Sequence, residues 1–140
     1  MFMWLQPEPF WISTILYWPW VSFVARLALT SAFLLGGVTK LVNFQAAVAE
    51  QERFGLHPGW LWALSAIVVE LAGPVMILSG YLVWLGAGAL GCLTAIAMLK
   101  ADNFWTKSGN ARLAQANTFF EHLGLIGGLA LAAIIAAMQR

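Results

Sequence analysis

The chain has 140 residues, of which 61% are hydrophobic and 9% charged, whereas a soluble domain carries about 25% charged residues. Seven Lys and Arg against six Asp and Glu leave a formal charge of +1, too little for the basic footprint of a nucleic-acid binder. The apolar content, glycines without a triplet period and a single cysteine, Cys92, exclude disordered, collagen-like and disulfide-rich chains. What remains is an integral membrane protein.

Residues 1–19 form an aromatic-rich segment (Phe2, Trp4, Phe10, Trp11, Tyr17) that also holds Pro7 and Pro9. It lacks the positive n-region of a signal peptide, so it is expected to be retained and to lie at the membrane surface. A spanning helix needs ~20 mostly apolar residues, because the hydrocarbon core is ~30 Å thick and each residue rises ~1.5 Å. The first such run goes from Trp20 to about Val42, with Pro19 suited to its first turn. Residues 43–54 mix apolar side chains with Glu50, Glu52 and Arg53, which predicts a short interfacial helix stopped by Gly55 and Pro58. The second span runs from Trp60 to Ser79, and Gly80-Tyr81 make a turn into a third from Leu82 to Leu99. Residues 100–117 read as a solvated loop. Thr118 and Glu121 then match a capping box at the start of a fourth span, Phe119 to Met138. The expectation is an all-α, four-transmembrane-helix bundle over residues 20–140.

Tryptophan supports the same register. Trp18, Trp20, Trp60, Trp62, Trp84 and Trp105 fall at span ends, where an indole meets both lipid and water. Orientation follows from Lys and Arg. The loops after the first and third spans hold Lys40, Arg53, Lys100, Lys107 and Arg112, whereas Arg26 and Arg140 belong to the other side. That bias puts those loops in the cytoplasm and both termini outside.

Ionisable side chains at membrane depth persist mainly when paired or functional. Glu70 lies about 15 Å past Trp60 and Arg26 about 9 Å from the opposite surface, so the axial gap is about 6 Å. An Arg26–Glu70 pair between the first two spans is therefore expected. It would serve as assembly glue or as part of a proton or quinone-headgroup site; a lone protonated Glu70 is the third reading. A second polar group (Lys40, Lys100, Asp102, Glu121 and His122) gathers at the cytoplasmic ends. It reads either as a rim of snorkelling and capping residues or as a polar mouth where His122 exchanges protons and Lys40 attracts an anion.

Gly86, Gly88 and Gly91 spell G-x-G-x-x-G, but inside an apolar span the dinucleotide reading fails. These glycines, with Gly124 and Gly128 on the fourth span, are expected to serve helix packing. Gly36 and Gly37 are candidates for the same role on the first span. Gly73-Pro74 is expected to kink the second span and to free a carbonyl near Glu70. Cys92 reads as a small packing residue. His57 stands in a loop beside Pro58, which argues against bis-histidine haem, and no zinc spacing, phosphate loop or nucleophile elbow is present.

Taken together, several stretches resemble the DoxX family of small four-helix membrane proteins. They are Arg26-Leu27, Phe33-Leu34, Gly37, Lys40-Leu41 and Phe44; then Phe54-Gly55-Leu56 with Pro58; then Glu70-Leu71, Gly73, Leu78 and Gly80; and finally Leu125 to Leu129. The likeness covers residues 20 to about 138. It implies a membrane subunit or accessory protein of a quinone-linked oxidoreductase complex, acting as anchor or stabiliser, with Arg26, Lys40 and Glu70 as its polar signature. A larger membrane complex or a homo-oligomer is the implied partner. The chain departs from the family pattern at two places: Asp102-Asn103-Phe104-Trp105 lacks a leading His, and Glu121-His122 replace a Lys-Asn pair. The alternative is a self-contained quinone-binding or proton-coupled protein using Glu70, Arg26 and Lys40. A quinone site without a second redox centre completes no circuit, which argues against independent electron transfer. Four short spans are also a small basis for alternating access, so a solute transporter ranks third. No metal and no covalently bound cofactor is expected; a quinone is the candidate small molecule.

Overall fold

Pro19 takes the first turn of a 24-residue helix, where its missing N–H forfeits no hydrogen bond. The structure, a computed structural model describing residues 8–140, places a short helix α1 (Phe10–Leu16) ahead of it. After α2 (Pro19–Val42) come α3 (Phe44–Arg53), α4 (Gly59–Ser79) and α5 (Val83–Ala101). A 3-10 turn (Phe104–Thr106) and α6 (Gly109–Met138) complete the chain. Phe2, Trp4 and Pro7 of the expected surface segment lie outside the described residues.

Helices α2, α4, α5 and α6 are each long and apolar enough to cross a membrane. The protein is all-α, with four spanning helices, a short helix between the first two of them and no strand among the described residues.

Local chemistry explains the joints. Asn43 ends α2 by leaving helical geometry, and its side chain accepts a hydrogen bond from Ala46 N at 3.3 Å to cap α3. Gly55 then takes a left-handed φ of 77°, which glycine adopts without a Cβ penalty. The chain folds back so that α3 lies against the first turns of α4. At Gly59 a Cβ would stand 2.7 Å from the Val48 carbonyl oxygen, so only glycine admits that approach. A second left-handed glycine, Gly80, turns α4 into α5.

In the bundle α4 packs between α2 and α5, and α6 packs along α5. Contact between α2 and α6 is sparse, so one seam of the bundle stands open. The buried core (Phe33, Ile77, Val83, Ala87, Leu90 and Leu129) gathers contributions from all four spans.

Four expectations need correcting. The last helix begins at Gly109, not Phe119, and at 30 residues it is about 45 Å long. The capping box does not form: Thr118 Oγ1 donates to the Ala114 carbonyl at 3.1 Å, deep within α6. Among the five glycines assigned to packing, Gly86 and Gly128 meet neighbouring helices, whereas Gly88, Gly91 and Gly124 would place a Cβ in open space. Cys92 is exposed on the outer face of α5 rather than packed inside.

Candidate functional site

Glu70 lies midway along α4, and its partner is Lys40. Lys40 Nζ donates to Glu70 Oε1 at 3.0 Å and to Oε2 at 2.9 Å, a forked contact across the α2–α4 seam. The side chains are 21% and 12% exposed, so the pair is largely withdrawn from its surroundings without being sealed.

The backbone makes room for it. Gly36 and Lys40 are four residues apart, hence on one face of α2. A Cβ on Gly36 would sit 3.3 Å from Glu70 Oε1 and 3.5 Å from Lys40 Nζ, so the bridge lies directly over this glycine. A Cβ on Gly37 would come within 2.8 Å of Leu71 Cδ2 and 3.1 Å of Glu70 Cβ. These two glycines let α4 approach closely enough for the carboxylate to meet the ammonium. Pro74, inside α4, has no N–H to offer the Glu70 carbonyl four residues earlier. α4 nonetheless continues as one helix through this position.

Arg26 does not pair with Glu70. Its Nη1 instead donates to the Ile77 carbonyl at 3.4 Å, and it approaches the Gly80 turn. The depth argument failed because it let both helices start at opposite membrane surfaces in a common frame. In fact the first turns of α4 pack on α3, which sets Glu70 beside Gly37. Arg26 stands eleven residues before Gly37, about 16 Å along the axis. Even an arginine side chain does not close that distance.

The expected cytoplasmic-side cluster separates into parts. Lys40 belongs to Glu70. Asp102, the residue that ends α5, is 6% exposed and accepts a hydrogen bond from His122 Nδ1 at 2.5 Å. That fixes which ring nitrogen of His122 bears the hydrogen and leaves Nε2 for another partner. Phe104, Trp105 and Phe119 stack edge to face around the same corner, with ring centroids 5.3–6.1 Å apart. Lys100 and Glu121 are exposed and make no ion pair among the described residues. No group of three or more His, Cys, Asp or Glu gathers as a metal site among the described residues.

Sequence reading missed both pairings. The Gly36–Gly37–x–x–Lys40 run was the available signal for the first: two small residues and a cation on one helix form a slot for an acid on the next. For the second, no local pattern links positions 102 and 122, which different elements carry.

The DoxX profile matches residues 21–103, which include Arg26, Lys40, Glu70 and Asp102. The chain belongs to the DoxX family. It is also similar to the inner membrane protein YphA of Escherichia coli (strain K12), at 23% identity over 116 residues, 83% of each chain. No solved structure matches. Both paired carboxylates of this DoxX protein therefore fall within the family region, whereas His122 lies beyond it.

Proposed function

We propose that this DoxX protein is a small, non-catalytic subunit of a quinone-linked oxidoreductase complex in a bacterial inner membrane, where it anchors or stabilises larger partners. The observation that carries the reading is the Lys40–Glu70 bridge. The costly intramembrane charges are spent on each other, across a glycine seam, where they fix the contact of two spans. The name of the Escherichia coli relative supports the inner-membrane assignment. The Lys and Arg bias supports a topology with both termini on the non-cytoplasmic side.

Purification in mild detergent, followed by identification of co-purifying chains and an absorption spectrum, tests the proposal. A stable complex with a flavin-, haem- or metal-bearing subunit is expected. A homo-oligomer that retains quinone on its own would overturn it.

The second reading, a self-contained quinone-binding or proton-coupled protein, draws on two observations. The pair remains partly exposed, and the Glu70 carbonyl has lost its helical donor. Arg26 is too far away to take part. Glu70→Gln separates the readings: an assembly role loses the complex, whereas a site role keeps the complex and loses quinone or proton coupling.

A further inference from the structure

Arg26 is the charge left without a counterpart. All six Asp and Glu of the chain are among the described residues; two are engaged, by Lys40 and His122, and none pairs with Arg26. Its guanidinium makes one long contact, to the Ile77 carbonyl, and a Cβ on Gly80 would lie 4.0 Å from Nη1. Arg26 is therefore level with the turn between α4 and α5, and the start of α2 (residues 19–25) reaches past that turn. The end of α6 reaches past it as well. Gly128 packs on Leu29, about one turn deeper than Arg26, so Leu131, Ala132 and Ile135 stand level with the guanidinium or outward of it. Gln139 is about 16 Å farther out than Gly128. Between these two overhanging helix ends lies a cleft of about 910 Å³. Leu29 and Gly128 close its inner end, Gln139 stands at its rim, and among the described residues that line it Arg26 alone is charged. The cleft is thus a well with a cation low in it and apolar walls rising above.

We propose that this well binds a compact apolar carboxylate, its acid group inward on Arg26 and its hydrocarbon body outward between α2 and α6. A planar guanidinium holds a carboxylate in a fork, which a single distant carbonyl leaves unused. One cation matches a monoanion, whereas a dianion would keep an uncompensated charge against apolar walls. Ser22, one turn outward on the same face of α2, lines the well and offers a second donor beside the guanidinium. Leu131, Ala132 and Ile135 then face the ligand's body, not its charge. The volume is at the upper end of the ~300–1,000 Å³ typical of ligand sites. The assignment is independent of the oxidoreductase reading, because it uses neither Lys40 nor Glu70.

The test uses the full-length protein in phosphatidylcholine nanodiscs, with empty nanodiscs as the blank, in equilibrium dialysis against naphthoate, naphthamide or acetate. One naphthoate per chain is expected, held roughly tenfold more tightly than naphthamide, which has the same body without the charge. Acetate, which has the charge without the body, should bind at least tenfold more weakly than naphthoate. Arg26→Gln should bring naphthoate down to the naphthamide level, and Arg26→Lys should keep a reduced preference. Ala132→Trp, which fills the well and leaves Arg26 in place, should abolish binding of both aromatic ligands and guards against an Arg26→Gln variant that fails to fold. Equal binding of naphthoate and naphthamide, acetate matching naphthoate, or undiminished naphthoate binding by Arg26→Gln or by Ala132→Trp would each overturn the assignment.

Discussion

The Lys40–Glu70 bridge converts two unfavourable residues into one interhelical fixture. Removing one partner leaves the other stranded, which costs far more than the pair itself contributes. Lys40→Met should therefore destabilise the bundle toward the lower end of about 3–5 kcal/mol, since both side chains retain some exposure. The double variant Lys40→Met/Glu70→Leu should recover most of that loss, because no charge is then left unpaired. Thermal unfolding of the wild type, both single variants and the double variant in one detergent measures the coupling directly. A double variant as unstable as the sum of the singles would show that the two side chains act separately. Sequence alone identified the acid and the need for a cation, but chose Arg26 over Lys40. The choice depended on axial register, and register came from α3 folding back on the start of α4, a tertiary contact that no span-by-span depth count contains. At the second pairing, Asp102 at the end of α5 and His122 within α6 are hydrogen-bonded to each other across twenty residues of sequence.

Among the elements, close approach is concentrated at a few glycines and absent at others of similar sequence setting. Where α4 crosses α5, a Cβ on Gly86 would stand 2.7 Å from the Gly73 carbonyl oxygen, and backbone yields little. Gly86→Ala should accordingly cost about 1–3 kcal/mol through forced separation of the two helices. Gly88→Ala and Gly124→Ala meet nothing within 4 Å and should be neutral, or stabilising by up to about 1 kcal/mol through helix propensity. Helix content against temperature, compared across the three variants, distinguishes the two classes; equal losses in all three would refute the packing assignment. The four spans themselves were legible because charges are sparse and apolar runs long. The true start of α6 was not. Asn110, Arg112, Gln115 and Asn117 gave its first turns the polarity of a loop, although Ala111, Leu113, Ala114 and Ala116 between them are helix-compatible. Polar composition there marks a helix leaving the hydrocarbon, not the end of the helix.

For the molecule as a whole, parity of the spans requires the α2–α4 and α5–α6 connections to share one side of the membrane. Lys and Arg at and between those helix ends, Arg53, Lys100, Lys107 and Arg112, outnumber Arg26 and Arg140 opposite, which predicts that this side is the cytoplasm. A periplasm-active reporter fused after Arg140 should therefore be active, and one inserted near Lys107 inactive; the reverse pattern would invert the topology. α6 bears on this arrangement through its length. A helix of about 45 Å exceeds a hydrocarbon core of ~30 Å by roughly ten residues. Those residues form a polar stalk at the end of the bundle opposite Arg26. The same unbroken rod that forms the stalk supplies Leu131, Ala132 and Ile135 to one wall of a cleft between α2 and α6, and it is held firmly by α5 but barely by α2. Anything that grips the stalk and tilts it has mechanical purchase on the width of the opening at the other face of the bilayer.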